Sequence, residues 1–248
     1  IDNCVFNRTV GGYRSPHIMM SMVNASFAKR VRIKNNKFLN NTIVPYDVNN
    51  CAIAFYADGT GVSSYATMEQ CFISDNIMSG QSILCLAENV VHGLAVFDTK
   101  ISNNTSVSVI GYRISGAASG TPELIIEGNS SIIICTAGPN GKRSFVNDIT
   151  AGSGYVKILN NKCSNIYCAI ATDAAISVSR FNMVIAHNTL TSSSTASIAT
   201  WGLTENRGIF VSGTNRQNIA EIYENVINSS VSDVYIAGIY CFNMNFNI

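Results

Sequence analysis

A short pattern that ends in asparagine recurs along the whole chain and limits its fold more than any other feature. In each copy an alternating apolar stretch is followed by a polar pair that closes with Asn, as in residues 71–76 (CFISDN) and 156–161 (VKILNN). The closing residues of the eight copies are Asn3, Asn36, Asn76, Asn104, Asn129, Asn161, Asn188 and Asn225. Their separations vary from 25 to 40 residues, so we infer constant strands that are joined by loops of variable length.

The alternation within each copy has a period of two residues, which is typical of a half-buried β-strand. Asn tolerates the left-handed backbone conformation and can bond to its own backbone, so the closing Asn is predicted to end its strand at a sharp bend. When the copies stack, these Asn side chains superpose. We therefore expect their amides to form a ladder along the stack.

A second apolar strand precedes each Asn-terminated strand. Examples are residues 52–57, 82–87, 107–112, 167–172, 197–201 and 234–239. A repeat therefore holds two or three strands, and each strand is predicted to pair in parallel with its copy in the next repeat, about 4.8 Å away. The pattern favours one all-β domain over residues 1–248. The alternative is an antiparallel sandwich or barrel, which also contains many short strands but shows turn signals every 8–12 residues or so.

The composition narrows the possible functions. Charged residues make up 12% of the chain and the net charge is +1, with Lys and Arg scattered, so the sequence disfavours binding of nucleic acid. The apolar runs are too short to span a bilayer. The eight cysteines mostly lie within apolar runs, which predicts free, buried thiols. No CxxC pair exists, and neither a metal nor a cofactor is predicted.

The I-x-x-N pattern with variable loops resembles the right-handed, pectin-lyase-like parallel β-helix family over the whole chain. The resemblance implies a right-handed single-stranded parallel β-helix of about eight coils. That family includes pectate and pectin lyases, polygalacturonases, polysaccharide epimerases and bacteriophage tailspikes. The chain, rich in Ser, Asn and Gly, is most similar to the tailspikes. This implies a homotrimer, on the virion tail or extracellular, that binds and cleaves bacterial surface polysaccharide. Because the chain begins within a partial repeat, it is also predicted to be a fragment of a longer polypeptide.

Two well-defined sites of the family are missing. The N-x-D, D-D and G-H-G pattern of the galacturonases is not reproduced by His92-Gly93 or His187-Asn188. The clustered Asp ligands of the calcium-dependent lyases are also absent. Fold alone does not specify activity, so the function has to be argued from other residues.

Pairs of carboxylates are the predicted catalytic groups, because glycoside hydrolysis uses two. Asp58 directly follows the predicted strand 52–57, and Glu88 directly follows the corresponding strand 82–87 of the next repeat. If those strands are in register, the two residues are predicted to lie roughly 5 Å apart. Asp173 and Glu205 are predicted to stack in the same way further along. The alternative is that such residues only form turns. Other acidic residues are predicted to be solvated on the outer face: Glu127, Glu221 and Glu224.

Sugar binding favours aromatic rings beside polar groups. The predicted substrate-binding residues flank the same strand ends: Tyr56, His92, Tyr112, Arg113 and Trp201. His92 follows Glu88 closely and is a candidate for proton transfer, with a structural role as the alternative. Trp201 could instead lie in the core or at a subunit interface. The leading hypothesis is a polysaccharide hydrolase. The alternatives are a non-enzymatic adhesion or structural shaft, and a polysaccharide lyase or epimerase.

Overall fold

In the computed structural model, all regular elements within the described residues are β-strands. The residues that it describes are 1–8, 16–22, 26–40, 51–57, 66–81, 83–87, 94–113, 123–136, 154–163, 170–173, 181–192, 206–212, 219–229, 236–242 and 245–247. The first fourteen strands are β1 (Val5–Arg8), β2 (Ile18–Met22), β3 (Phe27–Lys29), β4 (Arg32–Lys34), β5 (Lys37–Asn40), β6 (Ile53–Ala57), β7 (Ala66–Glu69), β8 (Phe72–Ser74), β9 (Ile77–Met78), β10 (Ile83–Ala87), β11 (Leu94–Phe97), β12 (Thr99–Ser102), β13 (Val107–Arg113) and β14 (Glu123–Glu127). The remaining strands are β15 (Ser130–Thr136), β16 (Gly154–Leu159), β17 (Lys162–Cys163), β18 (Ile170–Asp173), β19 (Phe181–Ala186), β20 (Thr189–Ser192), β21 (Asn206–Ser212), β22 (Ile219–Tyr223), β23 (Val226–Ser229), β24 (Ile236–Phe242) and β25 (Asn245–Asn247).

These strands form two long sheets and two short ones. Sheet 1 has the order β4-β8-β12-β14-β16-β19-β22-β25. Sheet 2 runs β2-β6-β10-β13-β15, then continues through β17-β20-β23 and through β18-β21-β24. The short sheets are β1-β5-β9 and β3-β7-β11. The strand pairs of sheets 1 and 2 are parallel, which confirms the predicted parallel pairing. An all-β fold of this kind is compatible with a β-helix or solenoid.

Two ladders of isoleucine fix the register of the long sheets. In sheet 2, eight isoleucines from successive strands are direct partners: Ile18, Ile53, Ile83, Ile110, Ile134, Ile170, Ile209 and Ile239. In sheet 1 the partners are Ile33, Ile73, Ile101, Ile126, Ile158, Ile185 and Ile222, all of them fully buried. Branched side chains pack well on a pleated surface. A slip of one residue would turn each ladder away from the core.

The predicted asparagine ladder is present at the end of sheet 1. It runs through Asn36, Asn76, Asn104, Asn129, Asn161, Asn188 and Asn225. At each step the backbone N–H and the side-chain Nδ2 of one Asn both donate to Oδ1 of the next, as Asn104 does to Asn129 at 3.0 and 2.9 Å. Nδ2 also donates to an isoleucine carbonyl one repeat back, such as Ile101 for Asn129 at 2.9 Å. The ladder thus satisfies buried polar groups that would otherwise carry a desolvation cost.

Two details of that prediction were wrong. The left-handed residue is not the ladder Asn but the residue before it, as at Asn35 (φ 56°) and Asn160 (φ 54°). The first ladder position belongs to Cys4, whose backbone N–H donates to Asn36 Oδ1 at 3.0 Å, whereas Asn3 is the left-handed residue of its repeat. The reason is geometric. The chain bends one residue earlier, and this aims the next side chain inward along the stack.

The core follows the alternation that the sequence predicts. Strand β22, for example, alternates exposed and buried positions throughout. Cys51, Cys71, Cys85 and Cys163 are buried and form no disulfide bond, which confirms the prediction for these four, whereas Cys4 is exposed. Strands β6, β10, β13, β18 and β24 overlap the predicted second strands. The predicted strand at 197–201 lies outside the described residues.

Candidate functional site

The ends of β6 and β10 carry the first predicted carboxylate pair. The two strands are in register, with Tyr56 opposite Leu86 and Ala57 opposite Ala87. Asp58 and Glu88 follow these last partners directly in the sequence, and both lie outside the described residues. Adjacent parallel strands are about 4.8 Å apart. The predicted Asp58–Glu88 pair assumed that the two preceding strands are in register, and the pairing of β6 with β10 agrees with that assumption.

The second predicted pair requires a correction. Asp173 ends β18, and its partner in the next strand is Ser212, at the end of β21. Glu205 comes before the first residue of β21, seven positions earlier than Ser212. This repeat contains two apolar runs, at 197–201 and within β21 (Asn206–Ser212). The strand that pairs with β18 is β21. The predicted stacking of Asp173 on Glu205 is therefore wrong. Glu205 itself lies outside the described residues.

The predicted sugar-binding residues fall on two register rows of sheet 2. Tyr56, which is partly exposed, shares a row with Leu86 and Arg113. Tyr112 shares the neighbouring row with Phe55 and Cys85, whose side chains are fully buried. His92 and Trp201 lie outside the described residues. The register thus brings Tyr56 and Arg113 to the same end of sheet 2 as the Asp58–Glu88 strand ends.

Hydrolysis of a glycosidic bond requires two carboxyl groups at a defined separation. Two carboxyl groups about 5–5.5 Å apart support a retaining glycosidase mechanism, and a wider separation supports inversion. The backbones of adjacent parallel strands are about 4.8 Å apart, which is close to the first of these separations. Two carboxylates at that distance repel each other, so one of them binds a proton more tightly and can act as the general acid.

The outer face of sheet 1 holds ion pairs that were not predicted from the sequence, from which Glu127 was expected only to be solvated. Lys100 Nζ lies 2.6 Å from Glu127 Oε2, and Lys157 Nζ lies 2.5 Å from Glu123 Oε1. The hydrogen bond from Lys100 lowers the pKa of Glu127 below its usual value. Glu221 and Glu224 are exposed, as predicted. Opposite charges offset by two residues on successive Asn-terminated strands were the sequence signal for these pairs.

The buried thiols are poor candidates for chemistry. Burial raises the pKa of Cys85 and of Cys163 to about 12, so neither supplies a thiolate at neutral pH. Among the described ranges no cluster of three or more His, Cys, Asp or Glu side chains has a geometry that could hold a metal ion. No long apolar helix of the kind that crosses a membrane was found in the part of the chain that the structure describes.

The chain was compared with known proteins in three ways. No family model matches it, and neither the curated proteins nor the solved structures contain a match. The strand register and the residues that it brings together are therefore the features from which a function can be inferred.

Proposed function

We propose that this chain is a right-handed single-stranded parallel β-helix of about eight coils that binds and hydrolyses bacterial surface polysaccharide, as part of a bacteriophage tailspike. The number of coils is supported by the eight isoleucine partners of sheet 2, which contribute one residue from each repeat. Right-handedness is supported by the general rule that crossovers between parallel strands of one sheet are right-handed.

Catalysis is assigned to Asp58 and Glu88. The observation that carries this assignment is the pairing of Ala57 with Ala87, the residues immediately before the two carboxylates. In the proposed reaction the carboxyl group with the higher pKa protonates the glycosidic oxygen. The other carboxylate attacks the sugar or activates water, depending on the separation. Tyr56 and Arg113, on one row of the same sheet, would contact the bound sugar.

The placement on a virion tail and the homotrimer follow from the resemblance and from the low content of charged residues, 12% of the chain. A rod that packs against sister chains has less solvated surface to cover with charge. Sedimentation equilibrium of the purified chain measures this directly. A mass of one chain at micromolar concentration would contradict the trimer and leave the catalytic assignment intact.

The test of function is cleavage of capsular and O-antigen polysaccharides by the wild type and by the double variant Asp58→Asn/Glu88→Gln. We expect new reducing ends with the wild type and a loss of at least about a hundredfold in the variant, the usual scale for a lost acid–base group. Asp98→Asn, at an exposed bend between β11 and β12, is the matched control and should keep full activity.

Three results would redirect the proposal. Full activity in the double variant would refute the assignment of Asp58 and Glu88. Products with the ultraviolet absorbance of an unsaturated sugar would indicate a lyase. Binding of a polysaccharide without release of reducing ends would leave a non-enzymatic adhesion shaft as the function.

A further inference from the structure

Among the described side chains, the outer face of sheet 1 carries three exposed aromatic rings, each near a Lys, Arg or His side chain and a carboxylate. The first ring is Phe72, which is 37% exposed. The Arg32 guanidinium lies 6.0 Å from the centroid of this ring. The direct partner of Phe72 on the next strand is Lys100. Lys100 is held by Glu127 at 2.6 Å. A ring, donors and acceptors therefore share one patch of surface.

The second and third rings repeat this combination. Tyr155 is also 37% exposed, pairs with Glu123 on the neighbouring strand, and has Lys157 Nζ 5.8 Å from its centroid. Tyr223 is 43% exposed and meets the ring of His187 edge-on at 5.5 Å.

In that third patch His187 Nδ1 in turn lies 3.0 Å from a carboxylate oxygen of Glu224. Each of the three patches thus combines an exposed ring with a nitrogen-bearing side chain and a carboxylate.

The rings are spaced along the stacking direction of the sheet. Three strand steps separate β8 from β16 and two separate β16 from β22. The rings are also offset along the strands, Phe72 by two residues from Tyr155 and Tyr155 by four residues from Tyr223. At about 4.8 Å per strand step and about 3.3 Å per residue, both separations are roughly 16 Å. A polymer of several sugar units that runs along the sheet could therefore contact more than one ring, whereas a single small ligand could reach only one.

The charges of the patches indicate which polymer fits. Lys100 pairs with Glu127 and Lys157 pairs with Glu123, while Glu224 lies against His187, so these paired groups present no net positive charge to a polyanion. The paired groups can still form further hydrogen bonds with a ligand, because an ammonium has three donors and a carboxylate about four acceptor sites. Hydroxyl groups suit such donors and acceptors, and the C–H face of a sugar ring is apolar enough to pack on an exposed aromatic ring.

We propose that the outer face of sheet 1, through Phe72, Tyr155 and Tyr223, is a binding surface for a neutral polysaccharide chain, separate from the strand ends that carry Asp58 and Glu88. The proposal deepens the proposed function because it names uncharged glycan as the ligand class. It does not depend on cleavage. A long polymer held on this face would raise the local concentration of substrate at the strand ends.

The test is affinity electrophoresis in gels that contain dextran, galactomannan, glucomannan or xyloglucan, with polygalacturonate and chondroitin sulfate as acidic polymers. The triple variant Phe72→Ser/Tyr155→Ser/Tyr223→Ser removes the rings. Phe27→Ser is the matched control, because Phe27 is more exposed, at 72%, and lies on β3 in a different sheet. Melting temperatures of all the proteins report whether they are folded. If the triple variant is unfolded, the three single variants are compared instead.

We expect at least one neutral polymer to retard the wild type and Phe27→Ser, and the triple variant to bind it roughly tenfold more weakly or worse, given the value of an aromatic contact. The Asp58→Asn/Glu88→Gln variant should bind as the wild type does, which separates this proposal from the catalytic one. Retardation by acidic polymers alone, no retardation by any neutral polymer, or equal binding by wild type and triple variant would overturn it.

Discussion

Replacement of Asn129 by Ala tests whether the asparagine ladder stabilises the stack through its hydrogen bonds. Asn129 is 1% exposed, and its Oδ1 accepts from the backbone N–H and from Nδ2 of Asn104 at 3.0 and 2.9 Å. Its Nδ2 donates to Ile101 O at 2.9 Å and to Asn161 Oδ1 at 3.0 Å. The Ala variant therefore leaves at least two buried donors of Asn104 without their acceptor.

The size of the effect follows from that count. Each buried polar group that loses its partner costs about 1–3 kcal/mol, so two donors predict a loss of roughly 2–6 kcal/mol in the free energy of unfolding. A loss of this size is a large part of the 5–15 kcal/mol or so that stabilises a typical domain. Urea unfolding measures it as a lower midpoint. Hydrogen exchange at the Asn104 amide supplies the local measurement, and its protection should fall.

Two further variants separate hydrogen bonding from a general effect of removing an amide. Asn228→Ala, at an exposed position of β23, should change the free energy of unfolding by no more than about 0.5 kcal/mol. Asn225→Ala should cost less than Asn129→Ala, because Asn225 is only half-buried and water can replace part of what it loses. A loss below about 1 kcal/mol for Asn129→Ala, with unchanged Asn104 exchange, would refute the reasoning.

Three other outcomes are expected. Gly128→Ala should lower the free energy of unfolding by about 1–3 kcal/mol in urea titrations, because Gly128 has φ +66° and an added Cβ would lie 2.5 Å from Asn103 Oδ1; an unchanged midpoint would contradict the left-handed corner. Lys100→Met should raise the pKa of Glu127 in an NMR titration, because the Lys100 hydrogen bond lowers it. Because the pKa of Glu127 is lowered in the folded state, its carboxylate stabilises the fold above the unfolded-state pKa, and this stability is lost as the pH falls through the folded-state pKa. The free energy of unfolding of the variant should therefore depend less on pH in this range. An identical titration of Glu127 in both proteins would argue against the ion pair. N-ethylmaleimide should label Cys4 in the native protein and spare Cys51, Cys71, Cys85 and Cys163 until denaturant is added, as read by peptide mass spectrometry; rapid native labelling of the four would contradict their burial.

Much of the fold was readable from the sequence because its signals are local. The period-two alternation and the recurring I-x-x-N pattern identified the strands of sheet 1, and one Asn per repeat predicted the ladder. Both follow from what a strand and a bend require of neighbouring residues, which needs no knowledge of distant partners. The position of the bend was missed by one residue, because both residues of the polar pair are often Asn and only the geometry tells them apart.

The tertiary structure decided which residues of different repeats meet. Repeats are 25 to 40 residues long, so counting cannot align one strand end with the next when loops vary. Ala57 does pair with Ala87, but Asp173 pairs with Ser212, because a different apolar run supplies strand β21. The ion pairs and exposed rings of sheet 1 likewise depend on partners one or more repeats away. The sequence thus determined the strands and the ladder residue, and packing of the isoleucine rows determined the register that builds each surface.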